Sequence, residues 1–253
     1  MTLTTIFDDS TPIKVEVKDH ESVKEQTIEQ KYQLESVQTT VSEYQSVRTW
    51  ALANGYSEMN EGVGTGLQPI TMVTWFDAIL YCNAKSEQMR LTPCYTVSGS
   101  TMRSPGFPVC DDSADGYRLP FEKEWRYGAK EIVRNCENAN ILCQDPQCKY
   151  CKEPITEEDG NYEREKQPSV VGQRAPNEVG LYDVLGNVLE WCFDMWDSNP
   201  QYRGVRGAAC CFSDLKMEVS DWQCCNAIFQ LPNLGFRICK SFAGTLIEER
   251  GIR

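Results

Sequence analysis

At 253 residues, 41% hydrophobic and 10% aromatic, the chain is long and apolar enough to bury a sizeable core. A formal charge of −12 excludes nucleic acid as a partner, because phosphate binding needs a basic footprint, and it also excludes simple adhesion to anionic lipid. No run approaches the ~20 apolar residues of a membrane span, and Met1-Thr2-Leu3-Thr4-Thr5 lacks basic or apolar leader character. The compartment expected by default is therefore the cytoplasm, whereas surface display or secretion would need another route.

Residues 1–31 are polar and charged, with Ile13-Lys14-Val15-Glu16-Val17 alternating as a strand does or lying loosely on the surface. Val41, Tyr44, Val47, Trp50 and Ala51 recur at helical spacing and predict a helix over 41–53, stopped by Asn54-Gly55. A second helix is expected over Met72–Glu87, with Thr74 as N-cap and Asp77 three residues on. A shorter one is expected over Pro120–Lys130, opened by proline in its first turn. Residues 131–178 read as irregular and rich in Cys and Pro; from Gly180 onward the pattern is short strands and turns. The lone histidine, His20, falls in the polar N-terminal stretch and reads as a surface residue rather than a general base.

Thirteen cysteines form two conspicuous groups. Cys136, Cys143, Cys148 and Cys151 crowd one loop, and a Cys-x2-Cys knuckle with two further thiols can close a tetrahedral Zn²⁺ site. Two disulfides and unpaired thiols are the other readings of that spacing. The second group is two vicinal pairs, Cys210-Cys211 and Cys224-Cys225.

The stretch Gly180-Leu181-Tyr182-Asp183-Val184-Leu185-Gly186-Asn187-Val188-Leu189-Glu190-Trp191-Cys192 places a Gly-Asn turn before a Trp/Leu-rich strand. Asn187 and Glu190 are oxygen ligands of the kind Ca²⁺ takes; the alternative is a hairpin with Asn187 in a left-handed turn and Glu190 in solvent. Asp111, Asp112 and Asp115 offer the same choice and favour a solvated acidic turn.

Gly-Leu-Tyr-Asp-x-x-Gly-Asn-Val-x-Glu-Trp resembles the signature of the formylglycine-generating-enzyme (sulfatase-modifying factor) family. Val73-Thr74-Trp75-Phe76-Asp77-Ala78 through Cys82-Asn83, Tyr117-Arg118-Leu119-Pro120 through Tyr127, Val171-Gly172-Gln173 with Pro176-Asn177, Arg206-Gly207 and Gly235-Phe236-Arg237 resemble further family motifs in the family's order. The resemblance covers roughly residues 32–242, leaving 1–31 as an N-terminal segment and 243–253 as a tail. It implies an α+β, C-type-lectin-like fold of the formylglycine-generating-enzyme type, with small twisted sheets, two to three helices and abundant loop. The family's enzymes oxidise a substrate cysteine with two copper-holding cysteines, set a few residues beyond the Arg-Gly motif. Counted from Arg206, those positions are Phe212 and Met217, which supply no thiolate, so no copper is expected.

The chain also resembles the variable proteins of diversity-generating retroelements, which share the same scaffold motifs and are mutated at template adenines. Mutation of AAC codons excludes Lys, Met, Glu, Gln and Trp, and the runs 208–215 and 224–229 are free of all five. That resemblance implies a non-catalytic surface over about 208–234 that binds a protein or carbohydrate. Its expected contacts are Ala209, Cys210, Cys211, Phe212, Ser213, Asp214, Leu215, Trp222, Cys224, Cys225, Asn226, Ile228, Phe229 and Leu231. The alternative is a copper-dependent formylglycine-generating oxidase that uses displaced cysteines, Cys210 or Cys211.

Overall fold

The computed structural model describes residues 2–7, 12–18, 23–29, 31–130, 140, 167–210 and 223–241. The chain opens with β1 (Leu3–Phe7), a β2–β3 hairpin (Ile13–Lys18 and Val23–Ile28) and β4 (Tyr32–Glu35). Two helices follow, α1 (Val41–Ala53) and α2 (Trp75–Gln88). Short strands come next: β5 (Tyr95–Val97), β6 (Ser100–Thr101), β7 (Val109–Cys110) and β8 (Tyr117–Arg118). After α3 (Glu122–Ala129) come β9 (Leu189–Met195), β10 (Tyr202–Arg206), β11 (Gln223–Asn226), β12 (Leu234–Gly235) and β13 (Cys239–Ser241).

Helix boundaries follow from local chemistry. The Thr40 hydroxyl accepts from the Glu43 amide at 3.3 Å, and the Glu43 carboxylate accepts from the Thr40 amide, so α1 starts on a reciprocal cap. It ends where Gly55 takes φ +84°, a left-handed value that glycine adopts without a Cβ penalty. Helix α2 starts in the same way: Thr74 Oγ1 accepts from the Asp77 amide at 3.1 Å and Asp77 Oδ2 from the Thr74 amide at 2.7 Å. The expected helix over 120–130 begins two residues later than its proline, because the Phe121 amide donates to Glu124 Oε2 at 2.8 Å and leaves Pro120 in the approach.

One antiparallel sheet has the order β1-β4-β13-β8, so strands from both ends of the described chain flank β4. A second has the order β11-β10-β9-β12, antiparallel except for the parallel β9–β12 pair. The β2–β3 hairpin lies against α3, and Val15 and Ile28 join Trp125 and Ala129 in one apolar cluster. The larger cluster surrounds α2: Tyr44 stacks on Tyr81 with ring centroids 5.7 Å apart, and Phe236 meets Tyr81 edge-on at 5.2 Å. Strand β12 passes close to the segment before α2, since a Cβ on Gly235 would lie 2.4 Å from the Ile70 carbonyl oxygen.

Candidate functional site

The residues with the most specific motif signal converge on a buried polar knot. Glu190 is fully buried in β9 and takes a two-pronged ion pair from Arg237, Nε to Oε2 at 2.8 Å and a terminal nitrogen to Oε1 at 2.8 Å. Trp125 Nε1 donates to Oε2 at 2.7 Å and Gln38 Nε2 to Oε1 at 2.9 Å. Arg237 spends its remaining N–H groups on the carbonyls of Glu35, Ser36 and Tyr182. Four segments of chain, those of Gln38, Trp125, Glu190 and Arg237, are thus joined at one carboxylate.

Asn187 holds φ +68°, the left-handed turn expected of it, and sits in the same knot. Its Oδ1 accepts from the Ser169 amide at 2.8 Å and from Asn140 Nδ2 at 3.2 Å, while its Nδ2 donates to Gln38 Oε1 at 3.1 Å and the Ser169 carbonyl at 3.2 Å. Neither expectation for Glu190 describes what is found. It is not in solvent, and as a Ca²⁺ ligand with Asn187 it would have to share its oxygens with a guanidinium already bound to both. A cation there would face Arg237 at close range, and like charges in a low dielectric repel strongly. Among the described residues no group of three or more His, Cys, Asp or Glu side chains is arranged to hold a metal. Asp111 Oδ1 accepts from the Ser113 amide and Asp115 Oδ1 from the Thr92 amide, as an acidic turn requires.

Two more buried carboxylates lie against arginines. Arg118 and Glu124 form a fork at 2.7 and 2.6 Å, and Arg206 of the Arg-Gly motif meets Glu122. These pairs pin α3 to β8 and β10, so the motif arginines and glutamates act on the scaffold.

The C-terminal face differs in kind. Ala209 and Cys210, expected to contact ligand, are 0% and 1% exposed and lie in the interior, where the Cys210 amide donates to the Asn187 carbonyl at 3.0 Å. Cys224 is exposed, and Cys225, Asn226 and Leu231 are half-buried. Ile228 and Phe229 are 63% and 51% exposed. Beneath them the backbone is fixed: Ala227 donates to the Gln201 carbonyl at 2.7 Å, its own carbonyl receives the Trp75 amide at 3.0 Å, and the Leu231 carbonyl receives the Met72 amide at 3.1 Å. Asn226 closes the turn through its carbonyl to Phe229 and its Oδ1 to Ile228. Cys211, Phe212, Ser213, Asp214, Leu215, Met217 and Trp222 lie outside the described residues, as do Cys136, Cys143, Cys148 and Cys151.

Cys224 and Cys225 are not placed to clamp one copper ion between them. They are successive residues of a strand, so their side chains leave opposite faces of the sheet. Both thiols are pushed above the usual cysteine range, mainly by partial burial, which disfavours the thiolate that binds soft metals. Cys82, Cys192 and Cys239 are pushed up further by full burial.

Sequence reading missed Arg203. It packs its guanidinium 3.9 Å from the Trp75 ring centroid and donates to the Phe193 carbonyl at 3.0 Å, while Nε has no hydrogen-bond partner. Burial against these rings lowers its pKa to about 10. Its separation from the motif arginine by two residues carried no signal in a single sequence.

The sulfatase-modifying factor enzyme 1-like domain model matches residues 8–242. Chaperone protein LppX of Paenibacillus barcinonensis is 35% identical over 153 residues, covering 53% of this chain and 54% of that protein. Formylglycine-generating enzyme of Thermomonospora curvata is 24% identical over 158 residues, covering 59% and 42%. The chain therefore spans about half the length of the curated relatives it matches. Among solved structures, CarF superposes with a TM-score of 0.72 at 20% identity, over 95% of this chain and 98% of that one. Treponema denticola variable protein 1 gives 0.66 at 22% over 94% of each chain, and PvdO from Pseudomonas aeruginosa 0.62 at 16% over 95% and 98%. At these identities the likeness is one of fold, an α+β architecture of three helices, small sheets and much loop among the described residues. With its motifs ordered around the Glu190–Arg237 knot and a model match across most of its length, the chain belongs to the sulfatase-modifying factor enzyme 1-like domain family.

Proposed function

We propose that this chain is a non-catalytic binding protein that presents the face formed by about 208–234 to a protein or carbohydrate ligand. The observation that carries this reading is the turn over 226–231, where exposed Ile228 and Phe229 ride on a backbone held by main-chain hydrogen bonds to the α2 N-terminus. A rigid support lowers the ordering cost of binding, and apolar anchors dominate interface energy. The fold likeness to Treponema denticola variable protein 1 supports the same reading. So do Phe212 and Met217 at the positions where the enzymes' motif spacing puts thiols. Diversification by a retroelement belongs to the proposal. The test is comparison of the coding segment for 208–234 with its genomic neighbourhood. A near-repeat differing at adenines beside a reverse transcriptase supports it; an isolated segment with no such copy removes the diversification.

A further inference from the structure

The cleft between α1 and α2 lies apart from the C-terminal face. It has a volume of about 400 Å³ and is lined by Glu43, Val47, Lys85, Met89 and Tyr117 together with Ser42, Ser46 and Gln88. Lys85 is 7% exposed, an unusual place for an ammonium. Its Nζ donates to the Tyr81 hydroxyl at 3.0 Å and lies 5.3 and 5.6 Å from the ring centroids of Tyr81 and Tyr117. An ammonium carries three donors, and a buried charge is costly unless it is paired. Among the described residues no carboxylate closes an ion pair with it.

Two carboxyls face this ammonium. Glu43 is engaged in the α1 cap, where its Oε2 accepts from the Thr40 amide and hydroxyl at 3.4 and 3.0 Å. Glu35 is buried, and burial followed by the charge of Glu43 raises its pKa to about 7, so near neutral pH it is a part-time counterion. The remaining walls combine the apolar surfaces of Val47, Met89 and the Tyr117 ring with the side chains of Ser42, Ser46 and Gln88.

We propose that the α1–α2 cleft binds a small monocarboxylate with an apolar body, its carboxylate on Lys85 Nζ and its body against Val47, Met89 and Tyr117. One cation and a nearby Glu43 suit a single negative charge better than a phosphate dianion. The inference is independent of the C-terminal face. The test titrates the full chain with phenylacetate, phenylacetamide and phenethylamine, followed by amide chemical shifts. Phenylacetate is expected to bind at least tenfold tighter than its neutral amide, with the amine weakest. Lys85→Met should remove the tenfold preference. Ser46→Trp, at the exposed rim, should block phenylacetate while leaving Lys85 in place, and it carries the test if the buried substitution fails to fold. Equal binding of acid and amide, tighter binding of the amine, no saturable binding, or full affinity in either folded variant would overturn the proposal.

Discussion

Glu190→Gln should unfold this protein far more readily than its small change in volume suggests. The substitution keeps the shape but removes the charge that Arg237 meets through two bonds of 2.8 Å, both partners being essentially fully buried. Breaking a buried pair on one side costs about 3–5 kcal/mol, because the surviving charge stays in a low dielectric. Arg237 keeps the carbonyls of Glu35, Ser36 and Tyr182, and the Asp183 carboxylate lies close enough to act on it. The lower end, about 3 kcal/mol, is therefore expected, or about 6–12 °C in Tm for a chain of this size. Urea denaturation followed by circular dichroism measures it. Adding Arg237→Met should cost less than the sum of the two single substitutions, with a coupling of about 2 kcal/mol, because the second removes the stranded charge. A loss below about 1 kcal/mol for Glu190→Gln would refute the reasoning. So would Ca²⁺ raising the Tm of the native protein but not of this variant, since that would make Glu190 a cation ligand.

Other expectations follow from particular contacts. Gly235→Ala should cost about 3 kcal/mol by chemical denaturation, since its Cβ would press 2.4 Å from the Ile70 carbonyl oxygen, which cannot yield without moving the main chain. Glu35 binds more protons folded than unfolded between its ordinary value of 4.5 and about 7. Native stability should therefore fall as pH rises across that window, by up to about 3 kcal/mol, and Glu35→Gln should remove that part of the slope in a stability-versus-pH series. Ile228→Ser with Phe229→Ser should leave stability within about 0.5 kcal/mol, because both side chains stand in solvent; a large drop in Tm would place them in the core. Under non-reducing conditions, intact mass and metal analysis decides the Cys136, Cys143, Cys148 and Cys151 loop. Zinc lost on Cys148→Ser marks a thiolate site, and two mass units lost per bridge mark disulfides.

Local signals in the sequence located the helices well, because capping is short-range chemistry. Thr40 with Glu43 and Thr74 with Asp77 satisfy the first-turn amides from within four residues. The motifs also revealed the fold. What a single sequence hid was the partner of each motif residue. Glu190 reads as a solvent or metal carboxylate until Arg237, 47 positions away, is seen bound to it. Gln38, which donates into the knot from 152 residues before Glu190, has no local feature that sets it apart. On the C-terminal face the composition rule picked Ala209 and Cys210 together with Ile228 and Phe229, yet the first two turn inward and the last two outward. Which face a residue takes is set by strand register and by the crossing at α2, and neither is written in residue type.

Incubating the copper-treated protein with a cysteine-containing peptide under oxygen, and weighing the peptide by mass spectrometry, tests whether this scaffold grips without oxidising. Thiol peptide recovered with its cysteine unconverted is the result expected of a surface that carries Phe212 and Met217 where the enzymes carry thiols. Appearance of the formylglycine aldehyde in place of the thiol would contradict it.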